Sequence, residues 1–239
     1  MVLNVFDVGI ILLCVMFFVV GLKNGVIKEA FSLVGTVVIF AISFLFKGII
    51  GNIMCLGFPF FEFVGPLEGI SSFNILLYQI IAFMLIFCIL LSIYALLMGI
   101  SGAIQKLVNM TIILIPISKI LGGIVSLLKG YIIMFAVFLL LMVPLKNQAI
   151  YNESRIVNFM LYQTPILSDS ASTVTASIEE VYELTSKVSK NELSSTEANL
   201  RTIDIMLKYK ICDKDIIRDL VRKNKLTNVD SVENVLANY

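Results

Sequence analysis

No histidine and no tryptophan occur among the 239 residues. The missing histidine removes a Ser-His-Asp triad, a Cys-His pair and every His-containing metal site. Acid–base work near neutral pH would fall to perturbed carboxylates or lysines. Charge is also scarce: Asp, Glu, Lys and Arg make up 15% of the chain and sum to a formal +1. That balance leaves no electrostatic footprint for nucleic acid, and no basic cluster suggests a lipid-headgroup site. The four cysteines, Cys14, Cys55, Cys88 and Cys212, form no C-x-x-C pair. Three fall in apolar sequence, where cysteine packs as a small hydrophobe. Neither a metal nor a cofactor is expected.

What the chain has instead is apolar surface. Hydrophobic residues are 59% of it and its mean hydropathy is +0.97, more than a soluble domain of this length can hide. The distribution is uneven. Residues 1–145 hold 6 Lys and 4 acids (Asp7, Glu29, Glu62, Glu68), whereas residues 146–239 hold 12 Lys plus Arg and 13 acids. The composition predicts an all-α, polytopic membrane protein with two regions: a transmembrane domain over 1–145 and a soluble helical domain over 146–239.

About four spans can be read. The run Val5–Val20 reads as a membrane helix reaching Leu22, not a signal peptide, since no basic residue precedes it and no A-x-A site follows. Ala30–Phe46 is a second span, Phe73–Met98 a third and Ile120–Leu145 a last. Gly48–Ser72, carrying Pro59, Pro66 and several Phe, suits a membrane-hugging or re-entrant loop. Ala103–Lys119 reads as an amphipathic helix at the interface. Past Pro144, Ser168–Thr173 reads as a loop. Helical spacing follows at Val174, Ile178, Val181, Leu184 (or Tyr182) and Val188, then at Leu200, Ile203, Met206 and Leu207 behind the capping spacing Ser194-x-x-Glu197. Asp213 and Asp230 have the position of further helix starts. Lysines 23, 28, 106 and 119 place the first and third loops in the cytoplasm, with both termini outward.

Three constellations stand out. Gly21-x3-Gly25-x3-Glu29 joins a close-packing face to a carboxylate at the start of the next helix. Ser118, Gly122, Ser126 and Gly130, four residues apart and widened by Gly123, form a small-residue stripe for packing within or between chains. Asp7, Glu29, Lys119 and Lys129 are charges in or beside apolar helices. Asp7 and Lys119 are expected at the interface. Lys129 is the deepest, and it either snorkels, pairs with Glu29, or lines a polar path.

Asp7, then Gly21-Leu-Lys-Asn-Gly25-Val-Ile-Lys28-Glu29-Ala-Phe-Ser-Leu-Val-Gly35, resembles the colicin V production (CvpA) family, whose members show an early Asp and a G-x-(K/R)-x-G-x-x-(K/R)-E turn. Gly122-Gly123-Ile-Val-Ser126-Leu-Leu-Lys129-Gly130 resembles the family's second glycine-rich motif, with Ser126 in place of the middle glycine. The likeness covers residues 4 to 145. It implies a small, multi-pass bacterial inner-membrane protein linked to toxin (colicin V-type) production or export and to envelope homeostasis. The residues it carries over are Asp7, Gly21, Gly25, Lys28, Glu29, Gly35, Gly122, Gly123, Lys129 and Gly130, as structural or functional positions and not catalytic ones. Some relatives append a trypsin-like protease, which a chain without histidine cannot reproduce. The expectation is a non-enzymatic membrane scaffold. Its partners are the bilayer, a membrane or envelope protein reached through the tail, and a second copy of the chain in a homo-oligomer. The alternative is a channel or transporter component in which Lys129 and Glu29 line a polar path.

Overall fold

The computed structural model describes residues 4–100, 115–146 and 148–239. Among these residues it contains ten α-helices and no strand. Four are long and apolar enough to cross a membrane: α1 (Val5–Asn24), α2 (Val26–Gly57), α3 (Phe73–Ile100) and α4 (Ile115–Leu145). Their hydropathy windows average 2.3 to 2.9, yet only 17% to 39% of each window is buried. Apolar side chains left uncovered on this scale need lipid, not water, against them. The six shorter helices are α5 (Ala149–Asn152), α6 (Arg155–Gln163), α7 (Leu167–Ser189), α8 (Ser195–Lys208), α9 (Lys214–Arg222) and α10 (Val232–Leu236).

Several boundaries differ from the sequence expectation. The second span does not stop at Lys47 but continues to Gly57. Residues 48–57 contain no proline and keep apolar side chains in helical register, so the first true breaker is Pro59. Residues 168–173 are helical, not a loop. In this stretch and the turn after it, hydroxyls bond back onto the preceding turn: Ser172 Oγ to Asp169 O at 2.7 Å, Thr175 Oγ1 to Ser172 O at 3.1 Å and Ser177 Oγ to Val174 O at 2.8 Å. Hydroxyls satisfied in this way cease to compete with the helix. The interfacial helix expected over 103–119 lies mostly outside the described residues, while its last part, Pro116–Lys119, belongs to the start of α4. Near Asp230 the helix is a single turn, entered through Ser231 at φ 69° with no side-chain cap.

By packing, the chain divides into two compact units, Met1–Leu45 with Met84–Thr164, and Phe46–Phe83 with Pro165–Tyr239. This is a division of contacts, distinct from the hydropathy boundary near Leu145; it falls within α2, within α3 and between α6 and α7.

In the first unit α1 packs along α4. Phe40 of α2 meets Phe87 of α3 edge-on at 6.1 Å and Phe135 of α4 at 6.0 Å. Phe6 sits 6.0 Å from both Phe138 and Tyr151. Burial, and then Tyr162, raise the Tyr151 phenol above its ordinary value. It therefore stays protonated and donates to Phe138 O at 2.6 Å.

The second unit closes on the connection between α2 and α3. Of the expected core positions, Val174, Ile178, Val181, Leu184, Ile203, Met206 and Leu207 are buried while Val188 and Leu200 are half-buried, and Ile217 and Leu220 are buried as well. Phe73 stacks edge-on against Tyr182 at 6.0 Å. Lys225 Nζ donates to Cys55 O at 2.7 Å and Phe58 O at 2.8 Å, placing a cation on the carbonyl end of α2. Burial above all pushes the Cys212 thiol up to about 12, so it packs as a protonated, apolar group. Asn199, fully buried, ties the connection to α8. Its Oδ1 accepts from Ser72 N at 3.0 Å, Ser72 Oγ at 2.9 Å and Ser71 Oγ at 3.3 Å, and its Nδ2 donates to Gly69 O at 2.8 Å and Ser195 O at 3.0 Å.

Asn199→Ala strands several of these partners in a dry site and is expected to cost about 2–3 kcal/mol. Limited proteolysis of the purified protein would read this as faster cleavage within 165–239.

Candidate functional site: a glycine junction and its buried ion pair

The junction begins with a one-residue turn. Gly25 ends α1 at φ +78°, and its N–H bonds to Gly21 O at 2.9 Å. This backbone region suits glycine, and it lets α2 start at the next residue. Val26 N, an unpaired donor of the new helix, bonds to Ser118 Oγ of α4 at 3.4 Å.

Across this turn the backbones of α1 and α4 touch. A Cβ on Gly122 would lie 2.6 Å from both Gly21 O and Gly25 C, and one on Gly21 would lie 2.3 Å from Gly122 O. These obstacles are backbone atoms, which no rotamer change can clear. Gly123 and Gly130 lie under the rings of Phe18 and Phe17, with a Cβ at either position 2.5 Å from the ring. On the other side of α2, Gly35 receives Tyr94 of α3, whose hydroxyl donates to Phe31 O at 2.7 Å. The small-residue stripe of α4 thus packs within the chain, against α1. Ser126 packs here too, its Cβ beside Gly21. Its buried Oγ has no hydrogen-bond partner among the described residues.

This close approach aligns the charges. Glu29, in the first turn of α2 and 1% exposed, receives Lys129 Nζ of α4 on Oε2 at 2.5 Å. Asn24 Nδ2 donates to its other oxygen, Oε1, also at 2.5 Å, and Lys28 Nζ donates to Asn24 Oδ1 at 3.2 Å. Lys129 therefore pairs with Glu29 and does not snorkel. Both carboxylate oxygens are engaged, which is the condition for a buried ion pair to hold together.

The third motif charge, Asp7, is enclosed by protein at 1% exposure. It closes a capping box with Asn4: Asp7 N donates to Asn4 Oδ1 at 2.9 Å, and Asn4 N donates to Asp7 Oδ2 at 3.3 Å. Its Oδ1 also accepts from Ser154 Oγ at 2.6 Å and from Ile156 N at 3.2 Å. Ser154 in turn caps α6 through Val157 N at 3.2 Å. One carboxylate thereby joins the first turns of two helices. Asn24, Tyr94 and Ser154 escaped the sequence reading. Ser154 alone had a local signal, a serine ahead of a helical apolar pattern.

Together these features define an all-α, multi-pass membrane protein whose apolar helices meet at a glycine-lined, internally neutralised junction. The family model for the colicin V production protein matches residues 6–165, about two thirds of the chain, and the chain belongs to that family. The match runs past Leu145, the limit read from the sequence, and takes in α5 and α6. No curated protein and no solved structure matched the chain.

Lys129→Met leaves Glu29 unpaired in a dry site and is expected to cost about 3–5 kcal/mol. The double variant Glu29→Gln/Lys129→Met should recover much of that loss, and thermal unfolding in detergent would measure the coupling. By the same measurement Gly122→Ala should be severely destabilising, because backbone blocks its Cβ, whereas Ser126→Ala, which removes an unsatisfied hydroxyl, should be neutral or slightly stabilising.

Proposed function

We propose that this chain is a non-enzymatic scaffold of the bacterial inner membrane that supports toxin (colicin V-type) production or export and envelope maintenance. In this reading the membrane helices form a fixed platform and residues 165–239 engage a membrane or envelope partner. Family membership supplies the biological context. The observation that carries the scaffold reading is the closed state of the Glu29 site. A carboxylate that relays protons or coordinates passing ions needs an accessible oxygen, and both oxygens of Glu29 are held, by Asn24 and by Lys129. The pair favours a staple between α2 and α4 over a polar path. Outward termini, from the positive-inside bias, would present the tail to the envelope side.

Two measurements test the reading. Full-length protein in liposomes is expected to pass no ion or proton current above that of protein-free vesicles. In a toxin-producing bacterium lacking its own family member, the chain is expected to restore toxin release. A reproducible flux abolished by Lys129→Met would replace the scaffold with a conduit, and failure to restore release would detach the chain from toxin production.

A further inference from the structure

We propose that α6 is a re-entrant helix: it turns back into the bilayer beside α1 and α4 and presents Phe159 and Tyr162 to lipid acyl chains. Composition places this segment in the soluble region, since it follows the last span and carries Arg155, Asn158 and Gln163. Its contacts place it beside the spans.

The depth of α6 follows from the pairing of its two neighbours. Phe6 faces Phe138, and Phe17 lies over Gly130, so α1 and α4 run antiparallel in a known register. The start of α6 is fixed at Asp7 through Ser154 and Ile156, close to the level of Phe138. Its end is fixed by the hydrogen bond between the hydroxyls of Thr164 and Tyr131. From Phe138 to Tyr131 is seven residues back along α4, about 10 Å toward its other end. The nine residues of α6 are about 14 Å long. The helix therefore runs alongside the spans instead of leading away from them, and Tyr131 lies near the middle of α4.

The apolar side chains on the two faces of α6 agree with this placement, while Gln163 is exposed at its far end. Val157, Met160 and Leu161 are buried against the spans. On the opposite side Phe159 is 52% exposed and Tyr162 40%. This outer face lies on a helix packed against α1, whose own exposed side chains Val8, Leu12 and Val15 are apolar. Arg155 stands exposed at the Asp7 end, where a guanidinium can reach the headgroups. The backbone donors at that end are satisfied by Ser154 and Asp7, as a helix start near hydrocarbon requires. The occupant argued for is lipid, because the helix packs against two spans whose uncovered side chains are apolar and require lipid.

The absence of tryptophan makes a direct test available. Full-length Phe159→Trp and, separately, Tyr162→Trp would be reconstituted in phosphatidylethanolamine–phosphatidylglycerol vesicles, with Tyr239→Trp as the tail control. Residues 159 and 162 are expected to give blue-shifted emission, quenched severalfold more by acyl-chain nitroxide lipids than by aqueous acrylamide, with the order reversed at 239. Acrylamide quenching at 159 and 162 with no lipid quenching would overturn the proposal in favour of a water-facing helix. Blue-shifted emission resistant to both quenchers would also overturn it, by showing that protein covers the face. The two reporter positions are independent, so misassembly of one variant leaves the other to decide.

Discussion

Contact between two glycine backbones, Gly21 on α1 and Gly122 on α4, is the constraint from which the membrane-embedded packing follows. Lipid tails are as apolar as leucine, so burying apolar surface gives spans little reason to associate; close van der Waals approach and polar bonds must do it. The stripe on α4 supplies the approach, and the turn at Gly25 places α2 beside it. Only with the helices this close can the Lys129 ammonium reach a carboxylate in the first turn of α2. Packing and charge are therefore one device: the glycines set the spacing that lets the charges cancel.

The second unit solves a different problem with different chemistry. It has charged residues in plenty, and its ion pairs, such as Lys208 with Glu180, are at least partly exposed, where they contribute little. The specific contacts are instead uncharged or aimed at backbone. Asn199 reads the turn from Gly69 to Ser72 through four bonds, and Lys225 completes the carbonyl end of α2. Buried amides and helix ends give it a unique arrangement.

What was legible in the sequence followed the strength of the local signal. Long apolar runs announced the four spans, and the buried faces of α7 and α8 came directly from helical spacing. The glycine motifs marked the junction, because glycine and serine at four-residue intervals state a packing intent wherever the partner lies. The far ends of the bonds carry no such signal. Nothing near Asp7 points to Ser154, and Asn24 looks like an ordinary turn residue until Glu29 is placed beside it. Boundaries failed where composition and register disagreed: Lys47 looked like an end to α2, and Ser168–Thr173 like a loop, yet neither interrupts hydrogen bonding as Pro59 does. The α6 segment was missed for the same reason, its polar residues outweighing a buried face of only three side chains.

The pairing of Glu29 with Lys129 and of Asp7 with Ser154 spans 100 and 147 positions of chain. A ribosome makes Glu29 long before Lys129 exists, and Asp7 longer still before Ser154. During that interval the first two helices carry carboxylates that lack their distant partners and have only Asn24 and Asn4 beside them, a charge that hydrocarbon penalises. The first hairpin cannot be released into lipid in its final form on its own. It must wait at the insertion machinery, or sit shallow, until α4 and the segment behind it arrive. Assembly of this membrane domain is thus a late event in synthesis, and a chain cut short before residue 129 would leave an acidic hairpin for membrane quality control to find.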